Sequence, residues 1–210
     1  MSGGPIRRVS VVGSSGSGKT TFAAALADRL GVPHIELDAI YWGPGWTLSP
    51  VETLMDALHV IAATDAWVCD GNYGARSPLI ERADTVVWLD LPLRTCLTRI
   101  LRRTDRRIRR NERLWSDNRE TWREALIGRE ALVPYLISHF RERRRRYAAL
   151  FGAPDSAHLR VVRLRSAAEA NAWLTQLEIS ARFTSSSATF KRRGAGQRES
   201  SRGRRPDESR

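Results

Sequence analysis

Cysteine is scarce in this 210-residue chain, and the two thiols, Cys69 and Cys96, are too few for a disulfide framework. No apolar run is long enough to cross a bilayer. The N-terminal stretch 1–8 is too short and polar for a signal peptide. Cysteine and histidine nowhere cluster with the spacing of a metal site. These absences exclude disulfide-stapled, membrane-spanning and Cys/His metal-binding classes, and they predict a protein of the reducing cytoplasm.

Acidic residues are also in short supply, because 23 Asp and Glu stand against 35 Lys and Arg, a net charge of +12. Residues 182–210 contribute +6 of this, with nine basic residues against three acidic ones. That segment is rich in Ser, Gly and Arg and has too little apolar surface to build a core. We expect one folded domain, residues 1–181, and a disordered basic tail, 182–210, that either contacts acidic partners weakly or is a solvated appendage.

What the chain does contain is a glycine-rich stretch, residues 13–20, of the form G-x-x-x-x-G-K-[ST]. A β-branched strand, 9–12, precedes it, and a strong helix sequence, 21–30, follows it. The glycines allow close approach of a phosphate, Lys19 can reach the β- and γ-phosphates, and the Thr20 hydroxyl can ligate Mg²⁺. The predicted nucleotide-binding residues here are Gly13, Ser14, Ser15, Gly16, Ser17, Gly18, Lys19, Thr20 and Thr21.

Asp38 ends the second predicted strand, 34–38, on the side of a parallel sheet where ligands bind. We expect it to contact the substrate or to serve as base toward an attacking hydroxyl; a local cap or turn acid is the simpler alternative. The aromatic, turn-rich stretch 39–46 comes next. Trp42 and Trp46 form either an apolar wall against a substrate ring or part of the core.

The apolar strand 66–70 leads into Asp70, which is how a Walker-B-type aspartate is placed to hold Mg²⁺ directly or through water. A turn aspartate is the alternative. Asp90 is a weaker rival for the metal role, because a helix begins just beyond it and capping that helix is the simpler task. Asn72 and Arg76 follow Asp70 closely, and we expect both to contact the acceptor, Arg76 through an anionic group.

Arginine dominates residues 94–113, where nine arginines stand against two acids. Arg99, Arg103 and Arg107 recur every four residues and would share one face of a helix. In a phosphate-loop protein we expect a lid, approximately residues 102–117, whose guanidiniums close over phosphates and stabilise the transferring charge. A nucleic-acid-binding patch and an ordinary solvated helix face are the alternatives.

The order of predicted elements, five strands alternating with helices, indicates a parallel three-layer α/β/α domain with right-handed crossovers. The last two strands are predicted at 85–91 and 160–164. A helical pattern resumes at Asn118, and a long helix covers 131–151. Arg165 directly follows the last strand, where we expect its backbone to border the nucleotide base.

These stretches together resemble the adenylate-kinase-like P-loop NTPases, and within them the bacterial group labelled "DNA topology modulation protein". The resemblance covers roughly residues 7–179. It is carried by 11–21, 37–42 with Trp46, 70–73, the arginine-rich region and 114–120. It implies a nucleoside-monophosphate-kinase-like fold with sheet order 2-3-1-4-5, and binding of ATP and Mg²⁺. The chain departs from adenylate kinases at Asn72-Tyr73, where they carry Phe-Pro-Arg, so the acceptor is open.

We therefore expect Mg·ATP-dependent phosphoryl transfer to a small-molecule acceptor, which could be a nucleotide. The predicted catalytic residues are Lys19, Asp38, Asp70, Arg99 and Arg103. Thr20 and Asp70 would hold the metal. The alternative is a nucleic-acid-associated ATP-binding regulatory protein that uses its basic segments.

Overall fold

The computed structural model describes residues 5–71, 77–128 and 131–177. A single sheet of five parallel strands has the order β2-β3-β1-β4-β5. This confirms the predicted fold class and strand order. The strands are β1 (Arg8–Gly13), β2 (His34–Glu36), β3 (Trp67–Asp70), β4 (Thr85–Leu89) and β5 (Arg160–Leu164).

Helices connect the strands and pack around the sheet. They are α1 (Lys19–Leu30), α2 (Leu37–Tyr41), α3 (Val51–Ala63), α4 (Pro78–Arg82), α5 (Leu93–Arg109), α6 (Trp122–Leu126) and α7 (Leu132–Gly152). A further helix, α8, follows β5 and runs from 167 to 177. By internal contacts the chain divides into Met1–Asn171 and Ala172–Arg210, and the site described below belongs to the first unit. Within the described ranges, no helix is long and apolar enough to cross a membrane.

The core lies on both faces of the sheet, as the nearly continuous apolar strands require. On one face, Leu58 of α3 and Leu79 of α4 are buried in the same cluster as Trp67. Trp88 of β4 meets Tyr147 of α7 edge-on, with ring centroids 5.8 Å apart. The α1 helix contacts β1 and β3 and carries its own buried apolar side chains outside that cluster, so it covers the opposite face.

Strand register brings the functional candidates to one edge. Glu36 pairs with Asp70 across β2 and β3, and Gly13 pairs with Leu89 across β1 and β4. Leu89 pairs in turn with Leu164 of β5. Because all five strands are parallel, their carboxyl ends form a single rim, with the glycine-rich stretch at its centre.

Two predicted boundaries are wrong at this rim. The second strand ends at Glu36, and Asp38 lies in the first turn of α2. The apolar residues Leu37, Ile40 and Tyr41 have helical i, i+3, i+4 spacing, which a five-residue helix makes hard to recognise. The fourth strand stops at Leu89, two residues before the predicted end.

The helical pattern expected from Asn118 also begins later. The α6 helix starts at Trp122, after a capping box in which Thr121 and Glu124 exchange hydrogen bonds with each other's backbone. Asn118 is kept out of the helix because its side-chain amide bonds to backbone groups of the 43–46 stretch. In α7, Pro134 lies in the first turn, where its missing N–H costs no helical hydrogen bond.

Candidate active site

The glycine-rich stretch forms the turn between β1, which ends at Gly13, and α1, which begins at Lys19. The Ser17 N–H donates to the Ser14 carbonyl at 3.1 Å and closes the turn. Gly18 is the N-cap of α1 with φ 93°, a left-handed backbone that side chains rarely adopt. The turn therefore opens directly onto a helix N-terminus, which favours anions.

The back of this turn is packed against α5. A Cβ at Gly16, whose φ is 77°, would collide with the Cys96 carbonyl and lie 2.8 Å from Ile100 Cγ1. The Ser17 hydroxyl is 2% exposed and has no hydrogen-bond partner among the described residues. Ser15 lies half-buried in the turn, and Thr21 presents an exposed side chain from the first turn of α1. Because α5 packs closely against one side of this turn, the backbone amides can bind a ligand only on the side away from α5.

Lys19 projects from the first residue of α1 and its ammonium lies 3.3 Å from the Ser14 carbonyl oxygen. Burial lowers the pKa of this ammonium, while the charges of Asp38 and Asp70 act to raise it. Arg143 and Arg103 contribute further lowering. A buried ammonium between carboxylates and guanidiniums, with a neutral carbonyl as its hydrogen-bond partner, keeps N–H groups that can bind a phosphate oxygen.

Thr20 and Asp70 meet directly: the Thr20 hydroxyl donates to Asp70 Oδ2 at 2.6 Å. Asp70 is 4% exposed, and its other oxygen lies 2.9 Å from His34 Nε2. A hydroxyl and a carboxylate oxygen are the donors that Mg²⁺ prefers, and Mg²⁺ usually keeps several waters besides. In the described chain no three His, Cys, Asp or Glu side chains form a metal cluster, so phosphate and water would complete the coordination shell.

Glu36 is a member of this site that sequence reasoning missed. Its Oε1 lies 3.4 Å from Thr20 Oγ1, whose single proton goes to Asp70, and its Oε2 accepts from the Trp115 indole N–H at 3.1 Å. The β2–β3 register places Glu36 beside Asp70. The sequence signal for Glu36 was an acid near the end of a strand, but Asp38, two residues later, gave the same signal and was chosen instead.

The predicted arginine face exists on α5, where Arg99, Arg103 and Arg107 occupy successive turns. Arg99 Nη1 donates to the Ser17 carbonyl at 2.9 Å, so this guanidinium holds the phosphate-loop turn. Burial lowers the pKa of Arg103, and the neighbouring charge of Arg107 lowers it further. The buried Nε of Arg103 has no hydrogen-bond partner in the described ranges, while Glu120 is 4.0 Å from its Nη2. Such an incompletely neutralised guanidinium fits a bound phosphate.

Glu120 anchors the rest of this face. It accepts from the buried Thr104 hydroxyl at 2.9 Å and from Arg107 Nη1 at 3.3 Å. The predicted lid, 102–117, thus begins inside α5, and two of its arginines, Arg103 and Arg107, face the Glu120 carboxylate. Closure of this segment remains a prediction.

The capping role predicted for Asp90 is wrong. Its carboxylate binds Arg163 through Nε at 2.9 Å and Nη2 at 2.6 Å, and binds Arg144 through Nε at 3.0 Å. Arg163 also stacks on the Trp88 ring, 4.2 Å from its centroid. Pro92 is the N-cap of α5, for which the described chain supplies no side-chain cap. Asp90 is therefore a buried ion-pair centre.

Three of the predicted acceptor-side residues, Asp38, Trp42 and Trp46, lie among the described residues. Asp38 and Lys19 interact electrostatically, so the predicted base lies on the side of the phosphate loop. Trp42 and Trp46 are half-buried and meet edge-on with centroids 5.6 Å apart. The sequence could not separate Arg143 from the other arginines of residues 141–146. In the structure its guanidinium carbon lies 5.5 Å from the Tyr135 ring centroid.

Three predicted contacts receive no direct support. Asn72 and Arg76 lie outside the described residues. Arg165 follows β5 at the correct rim, and its N–H donates to Glu169 Oε2 at 2.8 Å as α8 begins. Its role beside the nucleotide base remains a prediction.

Comparison with known proteins gives no match among protein-family models or curated proteins. Solved structures do match. A shikimate kinase from Bacteroides thetaiotaomicron has a TM-score of 0.51 and 16% identity, covering 85% of this chain and 99% of its own. A shikimate kinase from Acinetobacter baumannii, in complex with shikimate, has a TM-score of 0.52 and 18% identity, covering 84% of this chain and 94% of its own.

The chain has the P-loop kinase fold. At these identities the likeness concerns the fold, and the chemistry must be argued from the side chains above. Neither structure supports membership of the "DNA topology modulation protein" group or a specificity like that of adenylate kinase. Both remain predictions from the sequence.

Proposed function

We propose that this chain is a P-loop kinase that transfers the γ-phosphoryl group of Mg·ATP to a small-molecule acceptor. The observation that carries the proposal is the 2.6 Å hydrogen bond between Thr20 and Asp70, beside the glycine-rich turn and Lys19. Hydroxyl and carboxylate groups in this relation hold Mg²⁺ against the phosphates in P-loop enzymes. A turn that merely bound an anion would have no need of them.

On the phosphate side, the backbone amides of the turn and the N-terminus of α1 bind the phosphate chain. Lys19 neutralises its outer oxygens; burial lowers the pKa of this lysine, and an anionic phosphate beside it would raise that pKa again. Magnesium, when bound at Thr20 and Asp70, neutralises charge on the phosphates. His34 fixes the Asp70 carboxylate through its 2.9 Å contact, and so keeps Oδ2 directed at Thr20.

On the acceptor side, Asp38 accepts the proton of the attacking hydroxyl or orients that hydroxyl. Trp42 supplies an apolar surface next to it. Asn72 and Arg76 are proposed to complete the acceptor contacts.

Arg99 and Arg103 have different proposed roles. Arg99 keeps the turn in shape through its bond to Ser17, and the buried Nε–H of Arg103, which has no partner among the described residues, would donate to a phosphate oxygen. Where an arginine stabilises the transferring phosphoryl group, its contribution is about 10³ to 10⁵ in rate. Closure of residues 102–117 would exclude water from the reaction.

Release of ADP from Mg·ATP, measured against a panel of acceptors, tests the proposal. The panel contains nucleoside monophosphates, nucleosides, shikimate and sugar acids. We expect turnover with one class and its loss in Lys19→Met. Arg146→Gln is the matched control, since Arg146 is an exposed cation of α7 outside the site, and its activity should equal that of the wild type. Turnover that survives in Lys19→Met would refute the assignment of the site.

A groove on α7 favours a second candidate, the nucleic-acid-associated protein. Its lining combines Arg141, Arg144 and Arg145 with Arg163 of β5, around a volume of about 240 Å³. Asp90 neutralises part of this charge. Phosphate-backbone binding should weaken steeply with salt, with a slope of roughly one ion per contact made. Affinity that is weak at physiological salt and unchanged in Arg141→Gln/Arg145→Gln would remove this candidate.

A further inference from the structure

Asn118 joins two segments that are far apart in the sequence. Its Nδ2 donates to the Gly43 carbonyl at 2.8 Å, and its Oδ1 accepts from the Trp46 N–H at 3.1 Å. The residue is 5% exposed, so both bonds are shielded from water. A buried amide that satisfies two backbone groups of another loop fixes the position of that loop, because breaking either bond leaves a desolvated polar group.

Neighbouring residues strengthen the same junction. Residues 42–46 are called the aromatic loop below, and residues 115–119 the clamp segment. Ser116 Oγ donates to the Trp42 carbonyl at 2.8 Å, and Trp46 Nε1 donates to the Arg119 carbonyl at 3.3 Å. Bonds therefore cross the junction in both directions and at several points, and the two segments form one assembly.

Aromatic rings fill the space between the segments. Trp46 meets Trp42 edge-on at 5.6 Å and meets Trp115 edge-on at 6.4 Å between centroids. The guanidinium carbon of Arg107 lies 6.0 Å from the Trp115 ring centroid, on the α5 side. The clamp segment is thus packed between the arginine face of α5 and the aromatic loop.

The backbone at the junction has unusual conformations on both sides. Trp46 has φ 59°, Ser116 has φ 55° and Asp117 has φ 60°. Non-glycine residues persist in this left-handed region where surrounding contacts over-determine them. Here the contacts of Asn118 and of the three tryptophans supply that determination.

One hydrogen bond leads from this assembly to the phosphate side. The Trp115 indole N–H donates to Glu36 Oε2 at 3.1 Å, and Glu36 Oε1 lies 3.4 Å from Thr20 Oγ1. Thr20 gives its single hydroxyl proton to Asp70 Oδ2. Any cation or phosphate held at Thr20 therefore changes the surroundings of Glu36 and, through it, of the Trp115 indole.

We infer that Glu36, Trp115 and Asn118 are positioning residues that join the aromatic loop and the clamp segment to Thr20, so that filling the phosphate site sets the acceptor side. The inference rests on the proposed function. The acceptor surface at Trp42 and the proposed lid residues 115–117 therefore move as one body when nucleotide binds. None of the three residues needs to touch a reacting atom.

Indole and amide resonances of the full chain, measured by ¹H–¹⁵N NMR, test this inference without any acceptor. Mg²⁺ with a non-hydrolysable ATP analogue should shift the Gly16 and Gly18 amides together with the Trp115 indole. Trp115→Phe assigns the indole signal by its disappearance. The Trp122 indole, 40% exposed on α6, is the internal control and should not shift.

Two variants of Glu36 sharpen the test. In Glu36→Ala the glycine amides should still shift while the Trp115 indole no longer follows them. In Glu36→Gln, where an amide oxygen can still accept the indole N–H, the response should return. If Glu36 had a merely structural role, the Trp115 indole shift would accompany the glycine amide shifts in both variants.

The outcomes separate the inference from the proposed function. Shifted glycine amides with an unchanged Trp115 indole in the wild type would overturn the inference and leave the nucleotide site standing. An unchanged spectrum at both places would overturn both. A Trp115 response that persists in Glu36→Ala would also overturn the inference.

Kinetics supply a second readout once an acceptor is in hand. In Asn118→Ala we expect kcat/KM for the acceptor to fall about tenfold or more, because misplacement of a positioned group by about 1 Å can cost ~10² in rate. The Kd for ATP should stay within about twofold. Trp122→Phe is the matched control. Equal loss of ATP and acceptor affinity in Asn118→Ala would contradict a role confined to positioning the acceptor side.

Discussion

Lys19 shows most clearly how a single residue links the free protein to its ligand. Its pKa lies below the ordinary 10.5 because burial disfavours the ammonium. Since the pKa is lower in the folded than in the unfolded chain, protonated Lys19 costs folding free energy; the cost is fully present below the folded-state pKa and is lost as the pH rises from there to the ordinary 10.5. Lys19→Met should therefore raise Tm while it weakens nucleotide binding, which differential scanning calorimetry would measure.

Phosphate oxygens beside Lys19 should raise its pKa again. We therefore predict that Mg·ATP binding takes up protons at a pH between the free-state and bound-state pKa of Lys19, and that affinity falls as the pH rises through the free-state pKa. Calorimetric titrations in two buffers of different ionisation enthalpy count the protons. In Lys19→Met, proton uptake should vanish and Kd should rise by roughly 10- to 150-fold, the range for a charged hydrogen bond. Equal uptake in wild type and variant would exclude Lys19 as the titrating group.

At the residue scale, sequence could identify groups whose role is tied to a local pattern. Lys19 and Thr20 follow from the spacing of the glycines, and Asp70 from the apolar strand before it. Glu36 was missed because its importance depends on the β2–β3 register and on Trp115, 79 residues away. Asp90 was misjudged for the same reason, since its arginine partners lie 54 and 73 residues later.

Among the elements, α5 is the one against which the phosphate loop is built. Its buried residues Cys96, Ile100 and Thr104 lie four apart on one face, and the Cys96 carbonyl lies where a Cβ of residue 16 would be. Arg99 reaches from the same helix to the turn. The arginine face and the phosphate loop are therefore in rigid contact, and a displacement of one displaces the other.

Gly16→Ala tests this contact. The added methyl has no room, and φ 77° is unfavourable for alanine, so we expect Tm to fall and nucleotide affinity to drop at least tenfold. Gly152→Ala is the matched control, because that position ends α7 with open space around its Cβ, and alanine there favours the helix by up to ~1 kcal/mol. Calorimetry and ATP titration of both variants decide; a Gly16→Ala protein as stable as the wild type would contradict the packing described here.

Element boundaries were less predictable than the elements themselves. The five strands were recognised because buried parallel strands are short apolar runs bounded by turn residues. The five-residue α2 was not, since so few residues cannot display a period. Residues 118–121 resisted prediction because tertiary bonds of Asn118 override the local helical pattern.

Across the whole molecule, charge is divided between a folded part and the predicted tail. The tail prediction for 182–210, with its boundary at 181, lies outside the described residues. Limited trypsin digestion followed by mass spectrometry tests it: cleavage should start at Arg182 and the basic sites beyond, leaving a fragment that ends near that residue. First cleavage at Arg163 or Arg165, in and after β5, would instead show that the proposed domain is not compact.

The central claim is phosphoryl transfer to an acceptor, and ³¹P NMR of the reaction mixture tests it most directly. With Mg·ATP and the active member of the acceptor panel, we predict loss of the γ-phosphate signal and growth of a phosphoester signal from the acceptor. Lys19→Met should show neither. Growth of inorganic phosphate alone, with no phosphorylated acceptor, would mean that the site hydrolyses ATP and would contradict the account.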